Sequence, residues 1–238
     1  LPLLALFLTF AVYQFFRTRH YIAVGIAQAD LAVPYFQEKP NANFRILILG
    51  DSTVVGTGAE DPEHSVAGYL GKDFQEAELV NLGVNGTRTH GLIERFEGIQ
   101  DQHFDLILIH TGGNDIVYFT DYEALAADLA SVLDLATNIS DNIVLLSCGD
   151  VGTGLLFPYG TRWIWTHRTK AVRDIFMPIA EAKGVHYVDL MRTRKNDPFA
   201  QDPDLYYSDD YFHPSGAGYL DWYEHVKAVL DTLNLQKH

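Results

Sequence analysis

Five short apolar runs recur along the chain from residue 45 onward, and segments of mixed polarity separate them. The runs occupy residues 45–50, 77–83, 104–113, 142–150 and 185–190. Runs of this length, rich in Ile, Leu and Val and bounded by turn residues, are typical of strands that are buried on both faces. We therefore predict five strands at these positions.

The segments between the runs carry apolar residues at intervals of three and four, as amphipathic helices do. In residues 121–138 this apolar face comprises Leu125, Leu129, Val132, Leu133 and Ala136. Further helices are predicted at residues 65–75, 88–99, 167–183 and 215–234. Strands that alternate with helices form a parallel sheet with helices on both faces, so we predict one α/β domain over residues 45–238.

The first 16 residues, LPLLALFLTFAVYQFF, carry no charge, and two arginines follow at once. A membrane-spanning helix needs about 20 apolar residues, so we predict that residues 1–20 form a membrane anchor. The alternative is an apolar helix packed on the domain or on a partner. Flanking arginines favour a cytoplasmic domain, while the opposite flank would be needed to fix the side. Residues 21–44 contain Pro34 and Pro40 and are predicted to be a linker.

Acidic side chains outnumber basic ones by 31 to 17, which gives a net charge of −14. Phosphate backbones and anionic lipid surfaces attract basic proteins. The balance therefore argues against nucleic acid, or an anionic bilayer, as a partner. The single cysteine, Cys148, lies in an apolar run and cannot form an intramolecular disulfide. A chain of this length buries enough apolar surface to fold without one.

Polar residues gather where the predicted strands end. The first strand ends in GDST at 50–53, the second leads into NGT at 85–87, and the third ends in GGND at 112–115. In parallel α/β sheets the functional groups lie at the carboxyl ends of the strands. Ser52 would supply a hydroxyl nucleophile there, although a lone GDS triplet more often marks a turn or a helix N-cap.

A serine nucleophile needs a base, and His213 is the best placed of the ten histidines. It lies in the loop SDDYFHPSG at 208–216, just before the last predicted helix. Asp210 precedes it by three residues, a spacing that lets a carboxylate reach the imidazole and fix its tautomer. Asp209 is a competing partner. The alternative interpretation is a helix-capping acid beside a surface histidine.

An ester hydrolase also needs donors for the oxyanion that forms on the attacked carbonyl. The candidates are the backbone N–H groups of Ser52 and Gly86 and the side-chain amide of Asn114. Asn114 lies in a Gly-Gly-Asn-Asp stretch that would also suit a turn.

The four motifs GDST, NGT, GGND and DYFH occur in this order and together resemble the SGNH (GDSL-like) hydrolase family. That family is named for a Ser, a Gly, an Asn and a His in four sequence blocks. The matching residues are Ser52, Gly86, Asn114, Asp210 and His213, and Gly83 is an alternative for the second block. The resemblance implies a flavodoxin-like three-layer α/β/α sandwich with a five-stranded parallel sheet. It also implies hydrolysis of esters or thioesters without a metal or organic cofactor.

Residues 149–167 follow the fourth predicted strand and are rich in apolar and aromatic side chains. A long loop near a site often lines a ligand groove; the alternative is that it folds onto the core. We predict substrate contacts from Leu155, Phe157 and Trp163, and from Asp51 beside the nucleophile. Such a lining would favour a lipid-like acyl chain or an aromatic leaving group over a highly polar sugar.

Two other functions use part of the same pattern. A metallophosphoesterase also carries Asp, Asn and His motifs, but it should show an Asp-x-His after the first strand, where this chain has Asp51, Ser52 and Thr53. A membrane-tethered, non-catalytic binding module would fit the apolar N-terminus, but such modules usually lose part of the catalytic set. The sequence therefore favours a serine esterase.

Overall fold

Residues 2–233 and 235 are described by a computed structural model, and five parallel strands in this part of the chain form one sheet. The strands are β1 (Arg45–Gly50), β2 (Glu78–Asn81), β3 (Leu106–His110), β4 (Ile143–Leu146) and β5 (His186–Val188). Each lies within its predicted run. Their order is β2-β1-β3-β4-β5. The connection from β1 leads to β2 on one side of β1, and the connection from β2 leads to β3 on its other side. A crevice at the carboxyl ends of β1 and β3 is the expected ligand site in such a sheet.

Alternate residues of each strand point into two separate cores. In β1, Leu47 and Leu49 face one core, and Ile46 and Ile48 face the other; all four are buried. Leu47 pairs with Val80 of β2 and with Ile107 of β3, so residues that face the same core lie side by side in these three strands. Both faces must therefore be covered by helices, which confirms the predicted three-layer α/β/α architecture.

The helices that cover the sheet agree with the periodic segments. The α-helices are α1 (Pro2–Leu31), α2 (Ser52–Val55), α3 (Val66–Asp73), α4 (Gly113–Val117), α5 (Tyr122–Thr137), α6 (Arg162–Ala182), α7 (Pro198–Gln201), α8 (Pro203–Tyr206) and α9 (Gly216–Leu230). Short 3₁₀ helices occupy Pro62–His64, Thr89–Phe96 and Val151–Thr153. Helices α5 and α6 pack on one face of the sheet, and α3 and α9 pack on the other.

Tertiary contacts change two of the predicted helices. The segment predicted at 88–99 forms a 3₁₀ helix instead of an α-helix. Gly91 lowers its α-helical propensity. Thr89 donates hydrogen bonds to the Asp115 carboxylate from both its N–H and its hydroxyl. Helix α6 begins five residues before the predicted start. Trp165, in this added part, stacks on Phe157 at 4.4 Å between ring centroids.

Helix α1 continues to Leu31, so residues 21–31 of the predicted linker are helical. Its residues 2–13, which we call the outer half, are all exposed. Its residues 14–31, the inner half, contact the α/β domain through side chains such as Arg17 and Gln28. None of the described helices is both long enough and apolar enough to span a bilayer.

The buried face of α5 provides a test of this packing. Leu133 is fully buried, whereas Leu135 in the same helix is only partly buried against the core. Replacing Leu133 with Ala should lower the free energy of unfolding by about 2–5 kcal/mol, because the change leaves a cavity. Leu135→Ala has the same helix propensity change and should cost much less. Urea unfolding measures both, and equal losses would contradict the assigned face.

Candidate active site

The nucleophile candidate lies where β1 meets α2. Gly50 ends β1 so close to the carbonyl oxygen of His110 in β3 that no side chain fits between the two strands. Asp51 caps α2 by accepting a hydrogen bond from the N–H of Thr53 at 2.9 Å. Ser52 is the first residue of α2, where helix geometry leaves the backbone N–H without a partner inside the helix. The predicted strand-end placement of Ser52 therefore agrees with the structure.

Ser52, His213 and Asp210 form a hydrogen-bonded relay. The Ser52 Oγ lies 2.9 Å from His213 Nε2, and His213 Nδ1 lies 2.6 Å from Asp210 Oδ2. Because the carboxylate accepts a hydrogen bond from Nδ1–H, Nε2 carries a lone pair that accepts a hydrogen bond from the Ser52 hydroxyl. This is the geometry that a serine nucleophile and its general base require.

The loop that carries Asp210 and His213 is held by its own backbone. Asp210 Oδ1 accepts hydrogen bonds from the N–H groups of Phe212 and His213 at 2.8 and 2.9 Å, and from Ser208 Oγ at 2.9 Å. Asp209, the competing acid, is exposed to solvent. The structure therefore places Asp210, and not Asp209, against the imidazole.

Burial and hydrogen bonding act in opposite directions on Asp210, whose side chain is 1% exposed. Burial raises the pKa of its carboxyl group, but the hydrogen bond from His213, the electrostatic attraction of its ring and the two backbone N–H groups outweigh burial. The pKa therefore lies below its ordinary value, and the carboxylate stays ionised beside His213.

The predicted oxyanion donors come from the start of α2, from the turn that contains Gly86 and from α4, which contains Asn114. Asn114 Nδ2 donates to the Thr87 carbonyl oxygen at 2.9 Å and to Asp51 Oδ2 at 3.4 Å, which ties the 85–87 turn to the ends of β1 and β3. Gly86 has a φ of +75° and open space where a side chain would be. Gly83 is instead packed against Val54 of α2. Of the two glycines, Gly86 thus has the accessible backbone.

A second histidine, His110, lies beside the relay but is sequestered. The Thr53 hydroxyl donates to Asp51 Oδ1 at 2.7 Å, and His110 Nδ1 donates to the Thr53 oxygen at 2.9 Å. His110 is buried at the end of β3 with its ring edge-on to Trp222, at 5.1 Å between centroids. Burial lowers the pKa of His110, so this histidine is neutral and acts in packing.

A cleft opens beside Ser52 and His213 and extends along the ends of β3 and β4. Asp51 and Asn114 line it near Ser52. Its further aromatic walls are Phe199, Tyr207, Phe212 and Trp222. The sequence analysis did not identify these four as ligand contacts. Trp222 had a signal only as part of the apolar face of α9, which periodicity cannot distinguish from core.

The three loop residues predicted to contact substrate lie elsewhere. Leu155, Phe157 and Trp163 do not line this cleft. Phe157 is buried in the core against Trp165, Leu155 is half-buried, and Trp163 is 70% exposed on α6. Thus Phe157 follows the alternative in which the loop folds onto the core. Stacking on Trp165 accounts for this, because it satisfies both rings away from the nucleophile.

Two charged residues in the lining of the cleft, Arg192 and Asp197, are held by ion pairs. The Arg192 guanidinium forms a bidentate pair with Asp221 at 2.9 and 2.6 Å. Burial raises the pKa of the neighbouring Asp197 carboxyl, and the charge of Arg192 opposes this rise. Across the described part of the chain, no group of three or more His, Cys, Asp or Glu side chains is arranged to hold a metal ion.

Comparisons with known proteins agree with this geometry. The sequence profile of the GDSL-like Lipase/Acylhydrolase family matches residues 48–220. A comparison with curated protein sequences gives no match.

Several solved structures share the fold. A member of the lipolytic protein G-D-S-L family from Veillonella parvula superposes with a TM-score of 0.64 at 17% identity, covering 80% of this chain and 100% of that one. The structure named TesA has a TM-score of 0.60 at 21% identity, with coverages of 79% and 98%. A catalytic mutant of Axe2, an acetylxylan esterase from Geobacillus stearothermophilus, has a TM-score of 0.59 at 19% identity, with coverages of 80% and 95%.

The family profile covers the end of β1, the whole of β2 to β5 and the three residues of the relay, and it confirms the resemblance noted in the sequence. The structural neighbours, at these identities, confirm the fold. The chain therefore belongs to the GDSL-like lipase/acylhydrolase family of hydrolases.

Proposed function

We propose that this protein is a serine esterase that hydrolyses carboxylic esters or thioesters through an acyl-enzyme on Ser52. The observation that carries the proposal is the continuous relay from Ser52 Oγ through His213 to Asp210, with distances of 2.9 and 2.6 Å. Membership of an ester-hydrolase family supports the same chemistry.

In this mechanism His213 Nε2 takes the proton of Ser52 Oγ as the oxygen attacks the acyl carbonyl. Asp210 holds the imidazole in the required tautomer and stabilises its positive charge. The protonated imidazole then gives its proton to the departing alcohol or thiol. A water molecule, deprotonated by the same histidine, attacks the acyl-enzyme and releases the carboxylic acid.

We assign stabilisation of the oxyanion to the N–H groups of Ser52 and Gly86 and to the amide of Asn114. The Asn114 amide is already oriented by its 2.9 Å hydrogen bond to Thr87, and its 3.4 Å contact with Asp51 is the weaker of the two. The hydrogen in that weaker contact is the one available to the oxyanion. A preorganised donor of this kind contributes about 3–4 kcal/mol to the transition state.

The cleft favours an apolar acyl group. Its aromatic walls at Phe199, Phe212 and Trp222 fit an aliphatic chain or a small acyl group next to the nucleophile. We therefore propose lipid-like or small acyl esters as substrates.

We further propose that the outer half of α1 lies in a lipid bilayer. Its residues are uncharged and exposed on every side of the helix, including Leu3, Leu6 and Phe7. A surface helix that packs on protein carries one apolar stripe, whereas one that is apolar all round suits lipid. Arg19, which is exposed, follows this half at the position of a polar headgroup flank.

The nucleophile is tested by Ser52→Ala. We expect kcat on p-nitrophenyl esters of varied acyl length to fall by at least about 10³-fold, because no other group can form the acyl-enzyme. Labelling by a fluorophosphonate probe should disappear as well. Ser131→Ala, at an exposed serine on α5, is the matched control and should retain both. Full activity or labelling in the Ser52 variant would refute the mechanism.

The lowered pKa of Asp210 predicts a dependence of stability on pH. A carboxyl group whose pKa is lower in the folded state stabilises the fold above its unfolded pKa of about 3.9, and this contribution is lost as the pH falls through the folded pKa. The free energy of unfolding of the wild type relative to Asp210→Asn should therefore shrink below about pH 4. Urea unfolding at about pH 5 and at lower pH measures it; a difference that grows as the pH falls below about 4 would contradict the assignment.

Lipid binding is tested with phosphatidylcholine vesicles, which carry no net charge. Leu6→Asp, in the outer half, should weaken partitioning on the order of 10²-fold, since an aspartate in the hydrocarbon core costs about 2.5–3.5 kcal/mol. Leu205→Asp places the same charge at a comparably exposed leucine on the α/β domain and should have little effect. Co-sedimentation provides the measurement, and equal binding by the wild type and Leu6→Asp would exclude this mode of contact.

A further inference from the structure

The inner half of α1 lies across the loops that build the active site, although the family profile begins only at residue 48. Its contacts reach three of these loops, which carry Phe157, Gly86 and Asp210. The helix is therefore an addition to the family domain that nevertheless touches its catalytic edge.

The first of these contacts fixes the loop after β4. Arg17 donates from Nη1 to the Leu155 carbonyl oxygen and from Nη2 to the Phe157 carbonyl oxygen, both at 2.6 Å. Thr18 Oγ1 donates to the Leu156 carbonyl oxygen at 3.1 Å. One turn of α1 thus binds three consecutive carbonyl groups. The Phe157 ring in turn meets Phe212, the neighbour of His213, edge-on at 6.0 Å between centroids.

The second contact fixes the turn that carries the Gly86 donor. Asn85 Nδ2 donates to the carbonyl oxygen of Ala29 in α1 at 2.9 Å, and Asn85 Oδ1 accepts from Thr57 Oγ1 at 2.9 Å. The side chain next to Gly86 is therefore held between α1 and the segment that follows the nucleophile.

The third contact is with Asp210, a member of the relay itself. Gly25 is buried against Asp210, and a Cβ atom at this position would lie 2.6 Å from Asp210 Oδ2, the oxygen that binds His213. Ser208 Oγ lies 2.9 Å from Asp210 Oδ1 and 3.1 Å from Gln28 Oε1, so its single proton is shared between an acceptor in the loop and an acceptor in α1. The Tyr21 ring meets Tyr211 edge-on at 5.1 Å between centroids.

We propose that α1 is a working part of the catalytic machinery, in which Gly25 and Gln28 act as positioning residues for Asp210; this inference rests on the proposed esterase function. The helix covers the carboxylate, excludes water from it and sets where Oδ2 can stand. A charged group so enclosed keeps its hydrogen bond to His213 because no solvent competes for it.

The identity of residue 25 supports this role. Glycine inside a helix costs about 0.5–1 kcal/mol relative to alanine, so Gly25 weakens α1 as a helix. The close approach to Asp210 accounts for it, because the helix axis could not lie at this distance with a larger residue. An alanine would force Oδ2 away from His213 Nδ1 or lift α1 off the loop.

The decisive variant is Gly25→Ala, with Ile26→Ala as its control. Ile26 is the next residue of α1 but is 58% exposed. We expect Gly25→Ala to lower kcat by about 10- to 100-fold with KM nearly unchanged, because a small misplacement of the triad affects the chemical step. The downfield proton resonance of the His213–Asp210 hydrogen bond should shift or broaden. Ile26→Ala should match the wild type in both measurements.

A second variant guards against misfolding of the first. Gln28→Ala adds no atom and removes the contact to Ser208. We expect it to lower kcat two- to tenfold and to leave the circular dichroism spectrum unchanged from that of the wild type. Should Gly25→Ala fail to fold, Gln28→Ala decides alone. Wild-type kcat and an unshifted resonance in the folded variants would overturn the proposal, as would an equal loss of kcat in Ile26→Ala.

The outcome is separable from that of the proposed function. If the wild type neither hydrolyses esters nor reacts with a fluorophosphonate at Ser52, the esterase proposal fails. The proton resonance of the His213–Asp210 bond, compared between the wild type and Gly25→Ala, still tests whether α1 positions the carboxylate.

Discussion

The buried carboxylate of Asp210 is the constraint on which the rest of the site depends. A charge taken out of water costs several kcal/mol unless hydrogen bonds replace its hydration. Here two backbone N–H groups, the Ser208 hydroxyl and the imidazole of His213 do so. Satisfying these four bonds fixes the turn of the loop and the tautomer of His213. It also leaves one side of the carboxylate to be covered, and Gly25 of α1 lies there.

Much of the fold and of the relay could be predicted from sequence because the relevant signals are local. Strands buried on both faces appear as unbroken apolar runs, such as that of β3, and the three-residue spacing of Asp210 and His213 needs only one turn of chain. Strand ends gather at one edge of any parallel sheet. Ser52 and Asn114 could therefore be placed together before their distance was known.

The remaining features depend on contacts between distant parts of the chain. Trp222 lines the cleft from α9, yet its helical spacing is that of an ordinary core residue. Phe157 does not line the cleft because it stacks on Trp165, a contact that composition cannot reveal. Gly25 and Asp210 are 185 positions apart in the sequence. From the sequence alone Gly25 only lowers the helix propensity of an apolar segment, and its contact with Asp210 is visible only in the structure.

The continuity of α1 also sets how the domain is tethered. A flexible linker of n residues would let a domain wander over about 5–6 Å × √n, so its encounters with an anchored substrate would be diluted over that volume. A helix rises 1.5 Å per residue, and α1 runs without a break from its exposed outer half to the Asp210 loop. With the outer half in lipid, the cleft would be held at a fixed height and orientation relative to the bilayer. The geometry of the helix would then set the effective concentration at which the cleft meets esters in the lipid.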